Sequence, residues 1–195
     1  SFEAVRTTAE APVVARFLAA TEQYECGAGV IELSAHALSL HRVDGIVFDV
    51  AAFTNLQHDH LDYYGDMENY FQAKALLFTP EHSRHGVVCV DDEWGRRLAQ
   101  QATVPVTTVS ALTEEAADWQ VRDVTPDQTI GRTVFTLVDP SGTGHRVAMP
   151  ILGEVNIQNT AVAIVSAVSL GIDLADVISA IEDAPQIPGR MEKVN

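Results

Sequence analysis

Short apolar runs alternate along the chain with stretches whose apolar residues recur every three or four positions. The runs are typical of buried strands, and the recurring positions are typical of one face of a helix. The predicted strands of the first half span residues 27–33, 45–53, 86–90 and 105–109. Strands that alternate with helices predict a mostly parallel sheet with helices on its faces. We therefore expect an α/β fold.

The pattern changes after Thr113, where the apolar segments become shorter and alternate with polar residues. The predicted strands of this part span residues 120–124, 133–138 and 145–149. A turn-rich segment, 139–144, separates the last two. This part predicts a small antiparallel subsheet on the edge of the parallel sheet.

Capping residues mark the predicted helices. A hydroxyl at Thr7 or Thr8, followed by an acid and an early proline, predicts a helix start near Pro12. The acidic run 91–93 predicts the cap and first turn of a helix over residues 94–101. Two more helices are predicted over residues 160–170 and from Asp173 to about Ala184.

Polar residues gather where the apolar run 45–53 ends. These residues are Asn55, His58, Asp59, His60 and Asp62. In open α/β sheets, ligands bind outside the carboxyl ends of the strands. The segment is therefore a candidate ligand site.

A helix follows this segment and carries one charged residue on its apolar face. Met67, Tyr70, Phe71, Lys74, Leu77 and Phe78 share the spacing of one helical face. A buried ammonium is unfavourable unless it is paired or neutralised. Lys74 is therefore either a functional group or a lysine whose head reaches solvent at the margin of the face.

Glu32 is a second charged residue in an apolar setting, at the end of the predicted strand 27–33. An acid there needs a cationic partner, which could be an ordinary Lys or Arg or a metal ion. His36 follows four residues later, and a histidine at a turn is more often hydrogen-bonded than a ligand. We give it an accessory role.

Composition narrows the classes of function. The 195 residues are 47% hydrophobic, enough for one domain with a core, and carry a formal net charge of −15. This charge argues against general binding to nucleic acid or to anionic membranes. No apolar run approaches a membrane span, and no export signal is visible. Two cysteines are too few for a disulfide framework, so a reduced, cytoplasmic compartment fits best.

The segment around Lys74 resembles the Mur ligases. The family block reads approximately T-N-L-x-x-D-H-L-D-Y-H-G-D-M-E-x-Y-x-x-A-K-x-x-L-F, with Tyr64 in place of its second histidine. The matching residues are Thr54, Asn55, Leu56, Asp59, His60, Leu61, Asp62, Tyr63, Gly65, Asp66, Met67, Glu68, Tyr70, Ala73, Lys74, Leu77 and Phe78. The closest resemblance is to the members that add a third, diamino acid residue to UDP-MurNAc-L-Ala-D-Glu.

Shorter motifs extend this resemblance along the whole chain. They are Thr7-Thr8, the Glu32-x-Ser34-x-His36 segment, His41-Arg42-Val43, Gly153-x-x-Asn156-x-x-Asn159 and Pro188-Gly189-Arg190-Met191-Glu192. Within and beside these shorter motifs three more positions depart from the family pattern: Ala9 replaces a proline, Ala35 a serine and Leu40 a glutamine. Each departure removes one expected constraint or substrate contact.

The resemblance implies the central, ATP-using domain of a cytoplasmic ligase of peptidoglycan synthesis. Such an enzyme phosphorylates the D-Glu γ-carboxylate with ATP, and the amine of the diamino acid then displaces phosphate to form an amide. The implied cofactors are ATP and Mg²⁺. The implied partners are the UDP-MurNAc-dipeptide and a diamino acid, with a monomeric parent enzyme.

The resemblance also assigns roles to residues. Lys74, carbamylated by CO₂, would hold a magnesium ion together with His60, and Glu32 would hold another on the ATP phosphates. Asp59 would order His60. Asn156, Asn159 and Arg190 would bind the nucleotide, although two helix-capping amides and a solvated turn arginine are ordinary alternatives. Substrate contacts are implied for Thr7, Thr8, Ser34, Arg42 and Asn55.

One family element has no counterpart in the sequence. The phosphate-binding loop G-x-x-x-x-G-K-[ST] does not occur in residues 1–195. We therefore expect a truncated central domain that lacks the P-loop strand, does not catalyse by itself, and has low stability or self-associates through open sheet edges.

Two other functions are compatible with the sequence. Another ATP-dependent ligase of the same fold, such as folylpolyglutamate synthetase, is the rival within the class. A non-catalytic nucleotide- or sugar-binding module is the rival outside it. The joint presence of Glu32, His60 and Lys74 argues against the module. The residues that would choose the diamino acid are not among the motifs of this chain.

Overall fold

The computed structural model describes residues 7–127, 131–150 and 153–185. The helices of these ranges are α1 Ala11–Gln23, α2 Ala35–Ser39, α3 Leu61–Tyr64, α4 Met67–Ala75, α5 Glu93–Gln101, α6 Glu154–Ser169 and α7 Leu174–Glu182, with a 3₁₀ turn at Leu76–Phe78. The strands are β1 Ala51–Phe53, β2 Gly86–Cys89, β3 Val106–Ser110, β4 Trp119–Asp127, β5 Arg132–Val138 and β6 Gly144–Met149.

The six strands form one sheet in sequence order, β1-β2-β3-β4-β5-β6. Strands β1 to β4 pair in parallel, and β4, β5 and β6 pair antiparallel. Trp119 of β4 lies beside Val109 of β3, so the later residues of β4 extend past the carboxyl end of β3. The predicted parallel sheet with a small antiparallel part is confirmed.

The sheet is covered on both faces, and β2 shows why. All four of its residues are buried, as expected for a strand between two helical layers. Val87 and Cys89 belong to the cluster that includes α6 and α7. Val88 and Val90 belong to the cluster that includes α2, α4 and α5. Alternate residues thus join the sheet to opposite layers.

The predicted strand at 27–33 is wrong. These residues form no strand, and the side chain of Val30 is 90% exposed. Apolar residues favour burial, but a strand also needs a neighbour for its N–H and C=O groups, and no described strand pairs with this segment. Of the predicted strand 45–53, only Ala51–Phe53 is paired as a strand, with one isolated bridge between Phe48 and Ser83.

Two helix starts also differ from expectation. Helix α1 begins after Glu10, which makes no side-chain cap, and the hydroxyl of Thr8 is used elsewhere. Helix α6 begins at Glu154, earlier than the predicted 160, because its entry motif is already helical. Asp92 and Asp173 cap α5 and α7 as predicted.

In the part of the chain that the structure describes, no helix combines the length and the apolar character needed to cross a bilayer.

Candidate functional site

Polar groups from four elements lie at the carboxyl edge of the parallel strands. Asn55 follows β1, Asp91 follows β2, Ser110 ends β3, and Gln158 comes from the first turns of α6. Hydrogen bonds join these four residues to one another. Open α/β sheets bind ligands at this edge, and of the polar residues that the sequence placed there Asn55 belongs to this group.

Lys74 occupies the predicted face of α4 and is half-buried. Its Nζ lies 5.2 Å from the centroid of the Tyr70 ring. Burial lowers the pKa of Lys74, while the charges of Glu32 and Asp59 act in the opposite direction. The ammonium therefore lies over an aromatic face, and the charges of Glu32 and Asp59 favour its protonated form.

His60 contacts the same tyrosine ring as Lys74. Its ring meets the Tyr70 ring edge to face at 5.8 Å, so His60 and Lys74 share one aromatic neighbour. Its Nε2 lies 3.4 Å from Oδ2 of Asp59, and its backbone N–H donates to Oδ1 of the same acid. The expected contact between Asp59 and His60 is thus present.

A cluster of rings packs around His60. Its members are His36, His60, Tyr63, Tyr64 and Tyr70. The rings of His36 and His60 are 5.2 Å apart, and Tyr64 stacks on Tyr70 at the same distance. Tyr64, which replaces the family histidine, therefore supports the ring that Lys74 contacts. Burial raises the pKa of both stacked tyrosines.

Thr8 ties the N-terminal segment to the loop of Glu32. Its hydroxyl donates to the carbonyl of Glu32 and accepts from the N–H of Ser34, both at 2.8 Å. Arg42 donates to the carbonyl of Thr8 at 3.2 Å, and its Nε lies 3.4 Å from a Glu10 carboxylate oxygen. The structure thus brings Thr8, Glu32, Ser34 and Arg42 together and uses the Thr8 hydroxyl to shape the loop.

Ser34 and Thr7 differ in their surroundings. The Ser34 hydroxyl accepts from the N–H of Ala37 at 3.2 Å and caps α2, which carries His36. Thr7 is exposed. The substrate contacts expected of these residues stay predictions.

Asn55 is held by Gln158, which is held in turn by Asp91, and sequence reasoning did not single out either residue as a site residue. Its Nδ2 donates to Oε1 of Gln158 at 3.0 Å. The Nε2 of Gln158 donates to Oδ2 of Asp91 at 3.1 Å and to Sγ of Cys89 at 3.2 Å. Gln158 is 5% exposed, so its amide must be satisfied inside the protein.

Asp91 collects donors from several elements. Besides Gln158, it accepts from the thiol of Cys89, from the hydroxyls of Ser110 and Thr113, and from the N–H groups of Ala111 and Leu112. Burial acts to raise the pKa of Asp91, but its hydrogen bonds outweigh burial and the pKa is lowered. Burial also raises the pKa of the Cys89 thiol to about 12, so sulfur stays protonated. The signal that could have identified Asp91 is its place directly after a buried parallel strand.

The nucleotide-side residues lie at the start of α6. Asn159 is exposed there, and Asn156 is partly buried. Arg190 and the motif 188–192 lie outside the described residues. The assignment of these residues to adenine and nucleotide stays a prediction.

The described residues test whether a magnesium ion fits near Lys74. They contain no group of three or more His, Cys, Asp and Glu side chains close enough to hold a metal by themselves. A cation here needs a further oxygen ligand, because Mg²⁺ prefers oxygen. Carbamylation would turn the Lys74 amine into an oxygen ligand, and the described residues fit a magnesium ion only through that modification.

Comparisons with known proteins identify the family to which the sequence belongs. The sequence matches the Mur ligase middle domain family over residues 2–167. A UDP-N-acetylmuramyl-tripeptide synthetase from Leifsonia xyli is 47% identical over 194 residues, which is 97% of this chain and 37% of that protein. A UDP-N-acetylmuramoyl-L-alanyl-D-glutamate–2,6-diaminopimelate ligase from Streptomyces coelicolor is 44% identical and is covered to the same extents.

Solved structures give the same result. A UDP-N-acetylmuramoyl-L-alanyl-D-glutamate–2,6-diaminopimelate ligase structure superposes with a TM-score of 0.74 at 29% identity, covering 84% of this chain and 34% of that one. The chain spans little more than a third of the length of the curated relatives. Because the family match covers most of the residues, the chain belongs to the Mur ligase middle domain family.

Proposed function

We propose that the protein to which this chain belongs is an ATP-dependent amide ligase of peptidoglycan synthesis. It adds a diamino acid as the third residue of UDP-MurNAc-L-Ala-D-Glu through an acyl phosphate. The relatives that are 40–47% identical carry names of this reaction type, which supports the proposal. The two cysteines are both free, which supports a cytoplasmic location.

One observation carries this proposal: the half-buried Lys74 lies against Tyr70, with His60 on the same ring and Glu32 within electrostatic range. An amine whose pKa is lowered by burial is more often neutral, and only a neutral amine can add to CO₂. The carbamate would be anionic, which replaces an unpaired buried cation with a metal ligand.

The proposed metal site uses residues from two segments. Lys74 as a carbamate and His60 would hold one magnesium ion, and Glu32 would hold a second beside the ATP phosphates. Magnesium would supply positive charge where the phosphate and carboxylate groups must approach each other. Asp59 would keep the His60 ring in place through the contact described above.

The remaining residues would position the two substrates. Arg42 presents a guanidinium suited to a carboxylate, with Thr7, Thr8 and Ser34 around the same loop. Asn55 would orient substrate at the end of β1. Asn156 and Asn159 would face adenine, and Arg190 would reach the nucleotide. With the acid held against the γ-phosphate, attack by the amine then needs no side-chain nucleophile.

The test uses the full-length protein. Release of inorganic phosphate is measured with ATP, UDP-MurNAc-L-Ala-D-Glu and, in separate reactions, meso-diaminopimelate, lysine or ornithine. We expect release that depends on both the nucleotide sugar and one of the amino acids. Release driven by a folate substrate, and by none of these amino acids, would contradict the proposal.

Lys74 is tested by two variants with different chemistry. Lys74→Ala should abolish turnover, by about a thousandfold or more, and a short carboxylate in the buffer should restore part of it. Lys74→Arg keeps the positive charge but cannot be carbamylated, and should be equally inactive. After incubation with ¹³C-bicarbonate, a ¹³C NMR signal of the carbamate should appear in the protein that carries Lys74 and in neither variant. Full activity of Lys74→Arg would refute the assigned role.

A further inference from the structure

The hydrogen bonds around Gln158 have a direction that chemistry dictates. An ionised carboxylate can only accept hydrogen bonds. Asp91 is held by six neighbours that all donate to it, and these bonds keep it ionised. The end of the Gln158 amide that faces Asp91 must therefore be its NH₂ group, at 3.1 Å.

The orientation of the Gln158 amide determines the orientation of the Asn55 amide. With its NH₂ group facing Asp91, Gln158 presents only Oε1 to Asn55, at 3.0 Å. An oxygen acceptor requires a donor, so Asn55 must turn its own NH₂ group toward Gln158. The side-chain oxygen Oδ1 of Asn55 then remains, and no described residue donates a hydrogen bond to it.

We propose that Gln158 is a positioning residue that fixes the Asn55 amide with its oxygen toward the ligand. The Oδ1 of Asn55 can then accept a hydrogen bond from a donor or contact a cation, and it cannot bind a carboxylate or phosphate oxygen. The orientation of Asn55 follows from the hydrogen bonds alone. Its ligand rests on the proposed function, where the fitting groups are hydrated Mg²⁺ and the N–H or O–H groups of a nucleotide.

The hydrogen bonds that run from Asp91 through Gln158 to Asn55 form a relay. This relay makes Gln158 a link between two parts of the site. It lies in α6 between Asn156 and Asn159, the proposed adenine side. It holds Asn55, which leads into the segment of Asp59 and His60. Asp91 sets the direction of this link from the end of β2. Asn55 and Asp91 are thus coupled through one buried amide.

A double-variant cycle tests the orientation without any ligand. Asn55→Asp places an acceptor opposite Oε1 of Gln158, and we expect it to lower the Tm by about 2–8 °C. In an Asp91→Asn background, Gln158 is free to turn, so most of this loss should disappear. In a Gln158→Met background, the coupling between positions 55 and 91 should vanish. Additive effects of Asn55→Asp and Asp91→Asn would overturn the relay.

Side-chain amide NMR of the unmodified chain decides the same point if Asp91→Asn does not fold. The Asn55 NH₂ signals are assigned by their loss in Asn55→Asp. Under the proposal, the hydrogen-bonded Nδ2 proton exchanges slowly with water and shows an NOE to the Gln158 side chain. Fast exchange of both Nδ2 protons would contradict it.

The ligand is tested with three probes on protein labelled with ¹³C at Asn55 Cγ: MgCl₂ alone, ADP with EDTA, and inorganic phosphate. A shift of Cγ with MgCl₂ identifies a cation, and a shift with ADP identifies a nucleotide donor; either supports the proposal. A change at Cγ with phosphate alone, or binding of MgCl₂ and ADP without change at Cγ, would refute it. The orientation of Asn55 and the proposed function can fail separately. If the full-length protein lacked ligase activity but positions 55 and 91 were still coupled, the proposed function would be wrong and the orientation would stand.

Discussion

At Lys74, burial and charge act in opposite directions. Burial lowers the pKa of the amine, whereas Glu32 and Asp59 favour the ammonium. In the absence of CO₂ the side chain is a partly desolvated cation, which destabilises the folded state relative to an apolar residue of similar length. We therefore expect Lys74 to lower the free energy of unfolding when no CO₂ is present.

We expect Lys74→Met to be more stable than the unmodified chain in CO₂-depleted buffer at pH 7. Methionine fills the space against Tyr70 without a charge, and a gain of ~1 kcal/mol would raise the Tm by about 2–4 °C in a chain of this length. Thermal unfolding followed by circular dichroism measures it. Lys74→Gln serves as the polar control, and a lower Tm for Lys74→Met would contradict the idea.

The Tm difference between Lys74→Met and the chain with Lys74 depends on pH in a defined direction. The folded-state pKa of Lys74 lies below the ordinary lysine value of 10.5, so the folded state releases this proton first as the pH rises. The destabilisation by Lys74 is complete below the folded-state pKa and is relieved as the pH rises toward 10.5. The Tm advantage of Lys74→Met should therefore shrink on going from pH 7 to pH 10.

A single site residue could be predicted from sequence when the spacing of its neighbours along the chain made it unusual. Lys74 was found because a charge on an apolar helical face is unusual. Gln158 and Asp91 were not found, since their roles depend on contacts between positions 67 apart. Asp91 also resembled part of an ordinary acidic helix start, and Asp92 is in fact the residue that caps α5.

At the scale of elements, α5 lies unusually close to β2 at Gly95. A Cβ atom at Gly95 would be 1.8 Å from the carbonyl oxygen of Cys89, which is backbone and cannot move aside. The helix can reach this position only because residue 95 has no side chain.

Gly95→Ala should therefore be strongly destabilising, by about 3–5 kcal/mol, the range of severe overpacking. Gly27→Ala is a matched control, because a Cβ atom there meets nothing within 4 Å. Urea unfolding of the two variants measures the difference. Equal midpoints would show that α5 shifts freely on the sheet.

Asp92 links the cap of α5 to the loop after β1. Its Oδ1 accepts from the N–H of Gly95 at 2.6 Å, and its Oδ2 accepts from the N–H of Leu56 at 3.2 Å. Asp173 caps α7 with Oδ1 alone, bonding to residues of its own helix.

We expect Asp92→Ala to cost about 1–3 kcal/mol, against about 1 kcal/mol for the control Asp173→Ala. Asp92→Ala should also speed hydrogen exchange at the amides of Leu56 and its neighbours, which the control should leave unchanged. Mass spectrometry of exchanged peptides measures this. Unchanged exchange in both variants would show that the second bond of Asp92 does not hold the loop.

Element boundaries were predictable where pairing is local or caps are explicit. Strands β5 and β6 and helices α5 and α7 were predicted within about two residues, because a turn or an aspartate marks their ends. The segment 27–33 was wrongly predicted as a strand because its apolar character contains no information about a pairing partner. The long-range register of a parallel sheet is not encoded in a local pattern.

For the whole molecule, the exposed side of β1 is the feature that we expect to favour self-association most. β1 is the end strand of the sheet, and no described strand pairs with its other side. The open edge of a parallel sheet offers unpaired N–H and C=O groups to another chain. The low stability or self-association expected from the sequence stays a prediction.

We expect the isolated chain to form species larger than the 21.1 kDa monomer as its concentration rises. Ala52, the exposed central residue of β1, is the place to test this. Ala52→Lys should suppress the larger species, since a lysine on an edge strand disfavours pairing, whereas Ala52→Ser should not. Light scattering after size exclusion measures both. A monomer at all concentrations would contradict the expectation.

The division of the sheet into a parallel and an antiparallel part implies an order of folding. Val138 pairs with Gly144 only six positions later, whereas Ala51 must find Gly86 across 35 positions. Contacts between near neighbours in sequence form faster, because closing a short loop loses less entropy. In pulse-labelled refolding, amides of β5 should gain protection before those of β2. The ligand-binding edge would then be the last part of the molecule to assemble, built onto a meander that contributes none of the proposed catalytic groups.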